Sequence, residues 1–231
     1  MFELVIACLV LALLEMDTTY LGQFLFSRPA CTGAIMGFIC GDFFIGLQLG
    51  IFTELLFIDF APIGGVVPPS GAICSGIAVM LAAYFGMPAH ISFFIGLLAS
   101  LAFTRVEKRL RKYRSVILPR IEKYLVNGLL FEADPNQEIQ TNQLQTNAGE
   151  ENQTPIMLSP IKLIMQSFFM EYLVVFFFVL VITALLGPVF FHFKDFIPPT
   201  LDVAFSFSYF LVPWIGLSML FISFSTKQES K

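Results

Sequence analysis

Among the acids in or beside the apolar stretches of this chain are Asp42, Glu54 and Asp59, and a single guanidinium, Arg28, precedes these three. An ionised group at membrane depth is costly and faces protein or a water-filled cavity. Each of these residues is therefore a candidate for holding a polar ligand. A carboxylate is a strong acceptor for hydroxyl donors, and Glu54 lies deepest in its apolar block. Asp42 follows Gly41 and suits a purely structural task equally well, capping a helix start. Were 42–54 one straight helix, the two acids would stand about 18 Å apart and could not share a small ligand. Arg28 is the only Lys or Arg before position 105. It either keeps its head group at the membrane interface or pairs internally with one of the acids. Gln23, polar among aromatics, either donates to a ligand hydroxyl or satisfies a broken stretch of backbone.

Nothing in the chain has the arrangement of a catalytic centre. The two histidines, His90 and His192, each lie close to a predicted turn, and there is no GxGxxG, Walker or HExxH pattern. Cys8, Cys31, Cys40 and Cys74 lie in apolar stretches without metal-ligand spacing and read as small buried hydrophobes. The expectation is no catalysis by the chain alone, no metal and no cofactor.

The elements that must position these groups belong to a membrane protein. The chain of 231 residues is 57% hydrophobic, only 13% charged, and has 28 phenylalanines, with a mean hydropathy of +0.80. A soluble domain carries nearer a quarter charged residues. Apolar blocks cover 3–21, 30–58, 71–104, 161–191 and 203–224. The first reads as a membrane helix and not as a cleavable leader. The block 71–104 is interrupted by Gly86-Met87-Pro88 and divides into helices 71–86 and 89–104. The last two blocks form a second hairpin. At roughly 20 residues per span, the fold class is all-α, a polytopic membrane protein of about six crossings.

The stretch FIDFAPIGGVVPPSG, residues 57–71, interrupts this pattern. Gly64 and Gly65 permit unusual backbone angles, Pro62, Pro68 and Pro69 remove backbone donors, and Ser70 is a natural N-cap. Irregular backbone at membrane depth survives only against protein or a water-lined cavity, and such breaks often form transporter sites. An ordinary extramembrane loop would use the same residues. A broken or re-entrant element near 57–70 is expected. Gly33, Gly37 and Gly41 recur every four residues and Gly46 and Gly50 follow after a shift. That stripe favours close helix packing, with a break or bend after Gly41-Asp42.

Eight of the thirteen basic residues fall between Arg105 and Lys123. Basic residues beside a span favour the cytoplasmic face, so 105–160 and the C-terminus are expected there. The segment from Arg105 reads as a basic amphipathic helix, either a docking or anionic-lipid surface or a topology signal alone. The polar run that follows reads as a flexible linker. Three parts result: 1–104, a membrane part; 105–160, the basic helix and linker; and 161–231, a membrane hairpin.

QFLFSRP, TGAIMGFICGD and GLQLGIFTELLFIDFAPIGGVVPPSGAI occur in this order over residues 20 to about 80. Together they resemble the IIC subunit of the mannose/fructose/sorbose family of the bacterial phosphotransferase system. A looser similarity lies in LVPWIGLSML. The resemblance implies a subunit of the cytoplasmic membrane that binds a hexose and conducts it inward. It further implies a homologous IID membrane subunit, cytoplasmic IIA and IIB phosphocarriers that phosphorylate the sugar, and an oligomer of IIC–IID complexes. No nucleic-acid partner is expected. By position, Gln23, Arg28, Asp42, Glu54, Gly64, Pro69 and Ser70 fall in the family's motif region, and Glu54 and Gln23 are implied to meet sugar hydroxyls. Ser70 departs from the acidic or amide residue common after the proline, and the linker 133–157 is long and polar. Two other readings stay open: another transporter class, ion-coupled or vitamin-binding, and a membrane scaffold that no longer transports.

Overall fold

The computed structural model describes residues 2–17, 20, 24–58, 67–133, 160–193 and 198–229. Among them every regular element is a helix. α1 spans Phe2–Met16, α2 Pro29–Cys40 and α3 Phe43–Phe57; α4 spans Gly71–Val79 and runs on as a π-helical turn over Met80–Tyr84. α5 spans Ala89–Ala133, α6 Pro160–Phe193 and α7 Pro199–Glu229. The protein is thus an all-helical membrane protein. The stretches Ala89–Ile117, Ile164–Phe190 and Pro199–Ile222 are long and apolar enough to cross a bilayer. The helices of 12 and 15 residues, α2 and α3, are not. At 1.5 Å per residue they reach about 18 and 22 Å, against roughly 30 Å of hydrocarbon.

Local signals explain the short helices. Pro29 opens α2 at a position where its missing N–H costs nothing. Gly41 ends α2 in the left-handed region at φ 89°, where a Cβ would be strained. The next residue, Asp42, accepts the Ile45 N–H at 3.0 Å and starts α3. The chain therefore reverses at Gly41-Asp42, and the expected break is a complete turn between antiparallel helices.

The glycine stripe is what permits that hairpin. A Cβ on Gly33 would lie 2.5 Å from the Gly46 carbonyl oxygen and 2.7 Å from the Gly50 Cα; one on Gly37 would lie 2.8 Å from the Gly46 Cα. Backbone meets backbone along the whole seam, as small residues allow where lipid gives apolar side chains little reason to associate. The same device seats α7 on α3: a Cβ on Gly216 would lie 2.6 Å from the Leu55 carbonyl oxygen. Tyr209 of α7 packs its ring against Phe52 of α3 and Phe93 of α5, with centroids 4.7 and 5.4 Å away. At the first turns of α5 and α7, His90 Nε2 and Asp202 Oδ1 meet at 2.8 Å.

Two expectations change in detail, and a third falls outside the described residues. The basic segment is not a separate helix after 104: α5 continues from Ala89 to Ala133 with Pro119 inside it, because no glycine or proline near 104 interrupts the ladder. Cys8 and Cys74 are buried as small hydrophobes, but Cys31 is exposed. Residues 59–66, including Asp59, Gly64 and Gly65, and the linker 134–159 lie outside the described residues. The described chain forms two compact units, Met1–Lys108 with Glu171–Lys231, and Arg109–Met170. The candidate site lies within the first. In the second, Arg109 and Lys112 are exposed on α5.

Gly46→Ala tests the seam. The added methyl meets the backbone of α2, so the hairpin must open, at a cost of about 1–3 kcal/mol typical of overpacking. The thermal midpoint of the detergent-purified protein is expected to fall. An unchanged midpoint would show that the two helices separate freely.

Candidate functional site

The register of the α2–α3 seam decides which side chains meet at its open end. With Gly37 against Gly46 and Gly33 against Gly50, the start of α2 comes level with the last turn of α3. Arg28 Nη1 accordingly lies 3.1 Å from Glu54 Oε1. The other carboxylate oxygen, Oε2, accepts the Ala30 N–H at 3.4 Å, so Glu54 also caps α2. A carboxylate there complements the partial positive charge of a helix N-terminus. The Arg28 side chain is 57% exposed and that of Glu54 25%. A pair so exposed contributes only about 0–1 kcal/mol to stability. Its groups stay within reach of a ligand.

The start of α4 joins the same place. A Cβ on Gly71 would lie 2.5 Å from Pro29 Cγ and 3.7 Å from the Phe57 ring. Ser70, following Pro69, caps α4 by accepting the Ile73 N–H at 3.2 Å. Its hydroxyl donates to Glu15 Oε2 at 2.8 Å, and its carbonyl accepts from Ser100 Oγ of α5 at 2.7 Å. Two helix N-termini, α2 and α4, thus converge beside the C-terminal ends of α1 and α3.

Asp17, one residue beyond α1, organises the segment that leads into α2. Its Oδ1 accepts the Phe24 N–H at 3.0 Å, and its Oδ2 accepts the N–H groups of Phe26 at 3.0 Å and Ser27 at 3.4 Å. Asp17 is 2% exposed and Glu15 8%. Glu171 of α6, also buried, accepts from the Tyr20 hydroxyl at 3.0 Å.

Arg28, Glu54, Ser70 and Pro69 are therefore gathered around these helix ends. Gln23 and Gly64 lie outside the described residues. Asp42 stands at the opposite end of the hairpin as the α3 cap, a helix length of about 18 Å from Glu54. Glu15 and Asp17 are not among the residues expected at the site. The signal for them was present in LLEMD, two acids closing an oily helix, by the same cost argument that singled out Glu54. Among the described residues no group of three or more His, Cys, Asp or Glu is placed to hold a metal ion.

The arrangement sets a carboxylate acceptor and a guanidinium donor side by side, partly exposed.

Two solved structures share the fold. One, titled a structure of a membrane protein, superposes with a TM-score of 0.69 at 15% identity, over 97% of this chain and 80% of that one. The other is the mannose transporter ManYZ in complex with microcin E492, with a TM-score of 0.60 at 17% identity, over 96% of this chain and 79% of that one. No curated protein matches the chain by sequence. The family described as the sorbose-specific IIC component of the PTS system matches residues 1–133, a stretch that contains α1 to α5 and every candidate residue above. The chain belongs to that family and is a IIC-type membrane component of a sugar phosphotransferase system.

Proposed function

We propose that the chain binds a hexose and conducts it across the cytoplasmic membrane, while partner subunits phosphorylate the sugar. The Arg28–Glu54 pair carries this reading. Side by side, the two groups offer adjacent sugar hydroxyls a charged acceptor and the remaining N–H donors of a planar fork. A guanidinium as exposed as that of Arg28 does not face hydrocarbon without a cost of at least about 2.5 kcal/mol, which supports a water-lined approach to the pair. Gln23 and Gly64 complete the proposed site by position, with Ser70 and Pro69 at the start of α4. We assign Asp42 to helix capping.

The mannose transporter among the structural relatives supports a hexose as cargo and a IIC–IID assembly as the working unit. Phosphoryl transfer falls to cytoplasmic IIA and IIB partners. The concentration of basic residues between Arg105 and Lys123 supports a cytoplasmic position for 105–160 and for the C-terminus.

In vesicles that also contain the IID, IIA and IIB partners, uptake of labelled mannose, fructose or sorbose is expected to stop when phosphoenolpyruvate is withheld. Uptake that persists without it and collapses with an ion gradient would instead identify an ion-coupled carrier. Glu54→Gln keeps the shape of the side chain but loses the charge-assisted acceptor. It is expected to abolish uptake and to weaken sugar binding by about tenfold or more, with membrane insertion unaltered. Unchanged sugar affinity in that variant refutes the assignment of Glu54.

A further inference from the structure

We propose that Asp17 is a positioning residue for the sugar site: it holds the turn over 24–27 so that Arg28 meets Glu54. The inference rests on the sugar-binding reading above.

Among the described residues the turn is held by hydrogen bonds and not by side-chain packing. Phe24, Leu25 and Phe26 are 69%, 58% and 52% exposed, so packing against the described chain does little to secure their backbone. Leu25 has φ 70°, in the left-handed region that is sterically unfavourable for a residue with a Cβ. A strained, exposed turn persists only if its surroundings over-determine it. The carboxylate of Asp17 does so, gripping the N–H on each side of Leu25 and the next one after. Within the turn the Arg28 N–H returns to the Leu25 carbonyl at 3.1 Å. The Phe26 carbonyl accepts the Thr32 hydroxyl at 3.1 Å, which locks the turn to the first turn of α2.

Arg28 is thereby delivered at a fixed place and direction, immediately before Pro29. Asp17 itself is fixed, because its own N–H bonds the Leu14 carbonyl at 3.2 Å at the end of α1. Two residues earlier on α1, Glu15 holds Ser70. Asp17 does not touch the sugar in this proposal. It acts through Arg28, and its removal weakens sugar binding by letting the guanidinium wander from Glu54.

The test uses the complete chain in vesicles with its IID, IIA and IIB partners and phosphoenolpyruvate, with mannose, fructose and sorbose as probes. Asp17→Asn is expected to raise KM about tenfold or more, as the loss of charge-assisted hydrogen bonds implies, with a larger change in KM than in maximal rate. Arg28→Gln is expected to do the same. Combined, the two changes should exceed Arg28→Gln alone by no more than about twofold, since residues acting through one contact are not additive. Fully additive effects, or an unchanged KM for Asp17→Asn, overturn the proposal. Amide hydrogen exchange at Phe24, Phe26 and Ser27 supplies the second measurement. Protection there should be lost in Asp17→Asn and kept in Arg28→Gln, and retained protection in Asp17→Asn also overturns it. If Asp17→Asn does not fold, Asp17→Glu takes its place with the same readouts. Should the wild-type complex take up none of the three sugars, the sugar reading fails, while the exchange measurement still decides whether Asp17 anchors the turn.

Discussion

The contact on which the rest depends is the backbone-to-backbone seam between α2 and α3. Two helices too short to cross a bilayer gain little from apolar side chains in a lipid environment, yet they must stay paired and in register. Glycines at 33, 37, 46 and 50 allow an approach that any side chain would prevent. Because the seam fixes register, it also fixes which residues meet at its ends. Asp42 is left at the turn, and Glu54 is carried to Arg28. A slip of one helical turn would leave the carboxylate facing α2 without its partner and without the Ala30 N–H.

Around that open end the buried acids divide their tasks by what they face. Glu54 is partly exposed and paired with a guanidinium, so it remains available. Asp17 and Glu15 are buried and bound to backbone or hydroxyl donors within the protein. They contribute order, because a buried carboxylate is tolerated only when its lone pairs are satisfied. Positive helix ends at α2 and α4 make the same region favourable for negative charge, which explains why three carboxylates can gather there. The convergence of helix ends is the architectural feature, and the exposed ion pair is what it displays.

Much of this was legible from residue types. Pro29 opens a helix, Asp42 and Ser70 cap helices, and the glycine stripe packs, all as the sequence implies. Each of these is a local rule, decided by a few neighbouring residues. The division of 71–104 at Gly86-Met87-Pro88 follows for the same reason, with Gly86 at φ 66°. The extent of α5 was less legible, since composition changes at Arg105 but backbone continuity does not. A helix ends where its hydrogen bonds are interrupted, not where its side chains change character.

By itself the sequence determined the class of the protein, its helical blocks, its caps and breaks, and the acids too costly to be accidental. These follow from hydrophobicity and backbone sterics acting over a few residues. Only the tertiary structure decided the partners: Arg28 with Glu54 across 26 positions, Ser70 with Glu15 across 55, and Asp17 with the turn before α2. It also separated Asp42 from Glu54, which the sequence left open. Such pairings depend on the direction in which a chain returns after a turn, and on the register of helices that contact backbone to backbone. A one-dimensional pattern does not contain that information, because the same spacing of glycines allows more than one register until three-dimensional packing selects one.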